Sequence, residues 1–157
     1  MSSDTDHEFF MQQALALAVL AGKNDEVPVG CVVVIGDQVV GRGANAPLQT
    51  HDPSAHAEVI AIRDAGQALN NYRLSGATLY VTLEPCMMCA GAIVHARIGT
   101  VVFGASDPKS GVLGGAVDVS MSAASNHRFE VVGGVCQDES ADLLRTFFRQ
   151  KRLKGNV

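Results

Sequence analysis

Apolar residues recur every three to four positions through TDHEFFMQQALALAVLAG, residues 5–22. That period predicts an amphipathic helix, with Thr5 and Glu8 at capping-box spacing and Gly22 as a stop. In VGCVVVIGDQVVGRGAN two Val-rich runs flank Gly36-Asp37, the pattern of a hairpin closed by a tight turn. Pro53 to about Leu69 reads as a second helix, and ATLYVTL as a buried strand. Cys86 to about Ala96 reads as a short helix opened by Pro85, and TVVFGA as another strand. Residues 104–120 are glycine-rich and predict a loop. HRFEVVGGV predicts a last strand, and Asp138 to about Leu153 a last helix.

Helices alternating with short apolar strands predict an α/β fold, a three-layer α/β/α sandwich whose sheet is mostly parallel after the opening hairpin. The 157 residues suit a single domain, 1–157, with no repeat, low-complexity block or linker. An apolar share of 47% against 18% charged excludes a disordered chain. No apolar run approaches the roughly 20 residues that span a bilayer. The N-terminus, MSSDTDHEFF, lacks the basic region of a signal peptide, so the expected compartment is the reducing cytoplasm. Four cysteines there are expected as thiols or metal ligands rather than disulfides.

Net charge is −4, which argues against a general nucleic-acid binder. Its distribution changes that picture. From Arg145 onward there are five basic residues and no acidic one. A basic tail on an acidic body can meet phosphates locally.

The segment EPCMMC places Cys86 and Cys89 three apart in the first turn of a predicted helix, and so on one face. The free N–H groups at a helix N-terminus favour thiolate over thiol. Two thiolates do not complete a zinc site, and His56, in HDPSAHAEVIA, is the best third ligand. His56 and Glu58 are two apart, however, and in mid-helix they would diverge. Their helix is therefore expected to begin only just before His56, with its N-terminal end aimed at that of the Cys86 helix. Zinc held by His56, Cys86 and Cys89, with Zn–S near ~2.3 Å, keeps a fourth position open for water, the arrangement of a catalytic ion. Such water has its pKa lowered toward roughly 7, and Glu58 stands beside it as a proton carrier rather than a ligand. Plainer readings exist for each residue alone: a surface histidine, a first-turn acid favoured by the helix dipole, and buried thiols. Cys31 and Cys136, in apolar runs, read as core thiols, and His51 as a structural or loop-capping residue.

The spacing His56-Ala57-Glu58 … Pro85-Cys86-Met87-Met88-Cys89 matches the H-x-E … P-C-x-x-C signature of zinc-dependent base deaminases. NDEVPVG, HDPSAHAE, NYRLSGATLYVTLEPCMMCAGAIVHARIGTVVFGASDPKSG, NHRFEV and LLRTFFRQKR extend the likeness from about His7 to Arg152. Together they resemble the bacterial tRNA-specific adenosine deaminases of the cytidine/deoxycytidylate deaminase superfamily. The resemblance implies a cytidine-deaminase-like fold with a five-stranded mixed sheet, a homodimer and one zinc ion per subunit. It implies hydrolytic conversion of adenosine to inosine at the wobble position of a tRNA anticodon, usually that of an arginine tRNA. Activated water on the zinc would attack C6 of adenine, with Glu58 moving the protons. By the same resemblance, Asn45 would hydrogen-bond the flipped adenosine, while Pro28 and Val29 would wall its pocket. Asp107 would contact the anticodon loop, and Phe147, Phe148, Arg149 and Arg152 would lie along the RNA. Cys31 stands where a smaller apolar residue is expected, and residues 111–125 match least. The rivals are a zinc deaminase of a free base or nucleoside, and a structural zinc module that binds RNA or protein. The basic Phe-Phe-Arg tail argues against the first, and the acid beside the site against the second.

Overall fold

The computed structural model describes residues 4–155, with side chains from residue 6. Helix α1 spans Asp4–Lys23, and strands β1 (Gly30–Ile35) and β2 (Gln38–Ala44) form the hairpin. A short helical turn α2 (Pro47–Thr50) precedes α3 (Ala57–Leu69). Strand β3 (Thr78–Leu83), helix α4 (Met87–Ala96), strand β4 (Thr100–Ala105), strand β5 (Glu130–Val132) and helix α5 (Gln137–Leu153) complete the chain.

The sheet order is β2-β1-β3-β4-β5. β1 is antiparallel to both β2 and β3, whereas β3, β4 and β5 run parallel. This is the five-stranded mixed sheet that the alternating pattern and the resemblance lead one to expect. Two apolar clusters cover its faces. Phe10, Met11, Ala14 and Leu15 of α1 pack with Val32, Val34, Tyr80 and Val102, joined by Leu143 of α5. On the other face Ala57, Ala61 and Ala65 of α3 and Ile93 of α4 pack with Cys31, Val33, Leu79, Val81 and Val101. Alternate strand residues thus serve opposite layers, as a pleated sheet covered by helices on both sides requires.

Two glycines set how closely α3 lies on β2. A Cβ at Gly43 would stand 2.2 Å from the carbonyl oxygen of Ala57, and one at Gly41 2.4 Å from that of Ala61. The GRG segment therefore reads as a bare strip on which the start of α3 rests, and this fixes the height of His56 above the sheet.

Several boundaries differ from the sequence reading. α1 is already helical at Asp4, so Thr5 lies inside it rather than at its cap, and it runs one residue past Gly22. The Pro53 start is corrected to Ala57, as the argument about His56 and Glu58 requires. Asp52 takes the N–H and hydroxyl of Ser54 at 2.8 and 2.7 Å, a local turn that competes with helix. β5 keeps only three residues, and Gly133, packed on the Phe103 ring, follows directly.

Candidate active site

The N-terminal ends of α3 and α4 converge. His56 is the N-cap of α3 and Cys86 the N-cap of α4, both with extended backbone (φ −74°, ψ 152° and φ −82°, ψ 177°). An N-cap side chain is not committed to the helix face, so both can lean ahead of their helices. Neither caps its own helix by a side-chain hydrogen bond. His56 Nδ1 lies 3.7 Å from Cys86 Sγ and 3.5 Å from Cys89 Sγ. The three ligand atoms lie within 4.8 Å of one another, with Cys89 buried and the other two half-buried. Two sulfurs and one imidazole nitrogen at this separation form a donor set suited to zinc, and three donors leave a tetrahedral ion one further position.

The electrostatics favour the same use. Cys86 is pulled down to about 5, first by the hydrogen bond from the Cys89 thiol, with burial opposing and the N–H groups of the first turn and His56 assisting. Cys89 moves up because it holds that proton for its neighbour and because it is buried. The pair thus favours one thiolate on Cys86, and a metal held there would draw off the second proton.

Glu58 is 4% exposed in the first turn of α3, two residues beyond His56. Burial pushes its carboxyl up to about 7, helped by the Cys86 sulfur and opposed by its own N–H, His56 and Cys89. A carboxyl poised near neutrality, beside a metal-ligand group and outside it, suits proton transfer in both directions.

A family model of MafB19-like deaminases matches residues 5–152. A tRNA-specific adenosine deaminase of Agrobacterium fabrum is 47% identical over 144 residues, 92% of this chain and 95% of that protein. Another, from Bacillus subtilis, is 45% identical over 150 residues, 96% of this chain and 93% of that one.

The chain belongs to the tRNA-specific adenosine deaminase family.

Among solved structures, a chain from biochemical and structural studies of A-to-I editing by tRNA:A34 deaminases superposes with a TM-score of 0.82 at 44% identity, covering 87% of this chain and 99% of that one. A guanine deaminase from Bacillus subtilis superposes with a TM-score of 0.62 at 40% identity over 64% of each chain.

Around this deaminase's triad the remaining expected residues fall into three groups. Asn45 and Val29 adjoin the triad end of α3. The Asn45 N–H donates to the Val29 carbonyl at 3.1 Å, and Asn45 Oδ1 accepts from the Ala57 N–H at 2.8 Å. Val29 packs in the same apolar cluster as Ala57. Asp107 lies in the loop after β4, where its Oδ1 accepts from the N–H groups of Lys109 and Ser110 at 3.0 and 3.1 Å. Its loop docks on the segment before Cys86, through the Val112 N–H to the Pro85 carbonyl at 3.0 Å.

The third group lies elsewhere. Phe147 and Pro28 line a groove of about 700 Å³ between α1 and α5. Phe147 is half-buried and meets Phe148 edge to face, while Phe148 is 40% exposed and Arg149 and Arg152 are exposed. One link leads back toward the site. Lys151 pairs with Asp25 at 2.5 Å. The next residue, Glu26, is buried and accepts from the Leu48 and Gln49 N–H groups at 3.1 and 2.7 Å, just beyond Asn45.

Sequence reasoning missed Glu26 and the α2 turn it caps. A Pro at the first helical position was the available signal, but its capping acid lies about twenty residues upstream. Cys31 is fully buried, as expected of a core thiol. Cys136 is not: it is half-buried at the N-cap of α5, and its sulfur accepts from Gln12 at 3.6 Å. His51, left-handed at φ 52°, closes α2, in keeping with its reading as a loop-capping residue.

Proposed function

We propose that this deaminase converts adenosine to inosine at the wobble position of a tRNA anticodon, with an arginine tRNA as substrate and zinc held by His56, Cys86 and Cys89. The observation that carries the reading is the placement of Glu58. It is a buried carboxyl near neutrality, directly beside a three-donor metal group, in a chain whose curated relatives bear the name tRNA-specific adenosine deaminase.

When bound, zinc supplies the Lewis acidity that makes water a nucleophile at neutral pH. Glu58 accepts the proton that water gives up and delivers it to N1 of the adenine. A C6–O bond forms in that step; Glu58 then passes the proton of the new C6 hydroxyl to the amino group, the C6–N bond breaks, and ammonia leaves with a C6 carbonyl behind it. Asn45 orients the base. Its Oδ1 is engaged by the Ala57 N–H, so its NH2 group is the part that donates to a ring nitrogen. Val29, bonded to Asn45 through its carbonyl, walls the pocket and excludes water, whereas Pro28, expected beside it, faces the groove between α1 and α5. An anticodon-loop base is already unpaired, so bringing it out of the stack costs less than in a duplex.

Asp107 contacts the loop beside the target. Phe148 and Phe147 stack on neighbouring bases or ribose, each stacked base contributing about 1–3 kcal/mol. Arg149 and Arg152 meet phosphates. The working unit is a homodimer, in keeping with Met87 and Met88, which are 76% and 40% exposed at the start of α4. Among the described residues no helix is long and apolar enough to cross a membrane. A cytoplasmic location goes with a tRNA substrate.

The test is a substrate comparison. The full chain should form inosine in a tRNA anticodon stem-loop carrying a wobble adenosine, and leave free adenosine, guanine and cytosine untouched. Equal turnover of a free base would replace this reading with a small-molecule deaminase.

A further inference from the structure

Glu84 immediately precedes Pro85 and Cys86 and has no part in the chemistry above. It is 3% exposed, and its carboxylate is devoted to the loop that follows β4. One oxygen accepts from the Ser106 hydroxyl and the Asp107 N–H, both at 2.9 Å. The other accepts from the Leu113 and Gly115 N–H groups, both at 2.8 Å. Backbone bonds frame the pair: the Glu84 N–H donates to the Ala105 carbonyl at 2.8 Å, and the Val112 N–H to the Pro85 carbonyl at 3.0 Å. The loop is shaped to admit the acid. A Cβ at Gly111 would stand 2.3 Å from the Glu84 carboxyl carbon, and one at Gly115 2.6 Å from its oxygen.

Four donors from both ends of one loop therefore converge on one buried carboxylate. Charge-assisted bonds of this kind are short and directional, and they offset the cost of burying the charge. A neutral amide of the same shape has one acceptor oxygen, and its NH2 would face N–H or O–H donors.

We propose that Glu84 is a positioning residue for tRNA. It locks the 106–115 loop, and Asp107 within it, onto the chain segment that delivers Cys86, so that the RNA-contacting loop and the metal-side helix start are set by one carboxylate. The role rests on the reading of Asp107 as a contact to the anticodon loop.

Glu84→Gln and Ser106→Ala, each alone and combined with Asp107→Ala in the full chain, test it. Zinc content and thermal unfolding report the fold, amide exchange across residues 106–115 reports the loop, and steady-state kinetics on the anticodon stem-loop report function. The proposal predicts wild-type zinc content and faster exchange in the loop. It also predicts a KM raised about tenfold or more with kcat changed less, the result of a misplaced binding group. Asp107→Ala should add little on top of Glu84→Gln, because both act through one contact. Ser106→Ala, which removes one donor of the four, gives a smaller change in the same direction and carries the test should Glu84→Gln not fold. Unchanged loop exchange, additive KM effects, or a kcat loss at constant KM would overturn it. Should the wild-type chain leave the stem-loop untouched, the tRNA reading fails on its own, and loop exchange still decides whether Glu84 holds the loop.

Discussion

Asn45 and Ala57 are joined by a single hydrogen bond, Oδ1 to N–H at 2.8 Å, and it ties the end of β2 to the start of the helix that carries His56 and Glu58. One side chain thereby caps a helix with its oxygen and, under the proposed function, keeps its NH2 group for the substrate. The two duties separate by mutation. Asn45→Ala should cost about 1 kcal/mol of stability through the lost cap and also abolish turnover. Asn45→Asp keeps the acceptor and loses the donor, so its denaturant midpoint should stay near wild type while inosine formation falls. Unfolding curves and product assays on the two variants read this directly.

Metal removal should act on stability as well as on activity. A ligand that binds only the native state adds about 2.7 kcal/mol at a hundredfold excess over its Kd. Chelator-treated protein is expected to melt at a lower temperature and to recover both melting point and activity when zinc is returned. Cys86→Ser and His56→Ala should show little of this response, which calorimetry with and without zinc would reveal.

Packing beneath the site gives a third expectation. With Gly43 only 2.2 Å, at the Cβ position, from the Ala57 carbonyl, Gly43→Ala has to lift the first turn of α3. Overpacking of this kind costs about 1–3 kcal/mol. Because His56 and Glu58 ride on that turn, the variant should also bind zinc more weakly, measurable by competition with a chromogenic chelator.

The site was partly legible in the sequence because its chemistry is local. Cys86 and Cys89 share one turn, and the two-residue spacing of His56 and Glu58 makes sense only at a helix start, which is where both lie. The hairpin was legible for a similar reason: Gly36, at φ 63°, meets the backbone demand of a tight turn. What stayed hidden depends on partners distant in the chain. Glu26 caps a helical turn beginning at Pro47, and Glu84 gathers donors from residues 106 to 115. An isolated acid in a sequence carries no mark of the N–H groups it will meet. At α3 two signals in the sequence disagree: periodicity begins at Pro53, where Asp52 and Ser54 form a turn instead, while the spacing of His56 and Glu58 gives the later start that the helix has.

At the basic tail the expectation concerns salt. Arg149 and Arg152 are exposed on α5 and free of ion pairs among the described residues, unlike Lys151 with Asp25. For single strands, log K falls with log salt by about 0.7 for each phosphate neutralised. Arg149→Ala and Arg152→Ala together should weaken binding of the stem-loop and flatten that slope by roughly 1.4, as titrations at several salt concentrations would show.

Under the proposed function, the Glu58 carboxyl beside the His56, Cys86 and Cys89 group carries the protons of adenosine deamination. Inosine formed in a wobble-adenosine stem-loop, measured for wild-type protein and Glu58→Ala at matched zinc content, tests it most directly. Inosine is expected with the wild type and a loss of at least about a hundredfold with the variant, the scale of positioned acid–base catalysis. Inosine accumulating at the same rate in both proteins would contradict it.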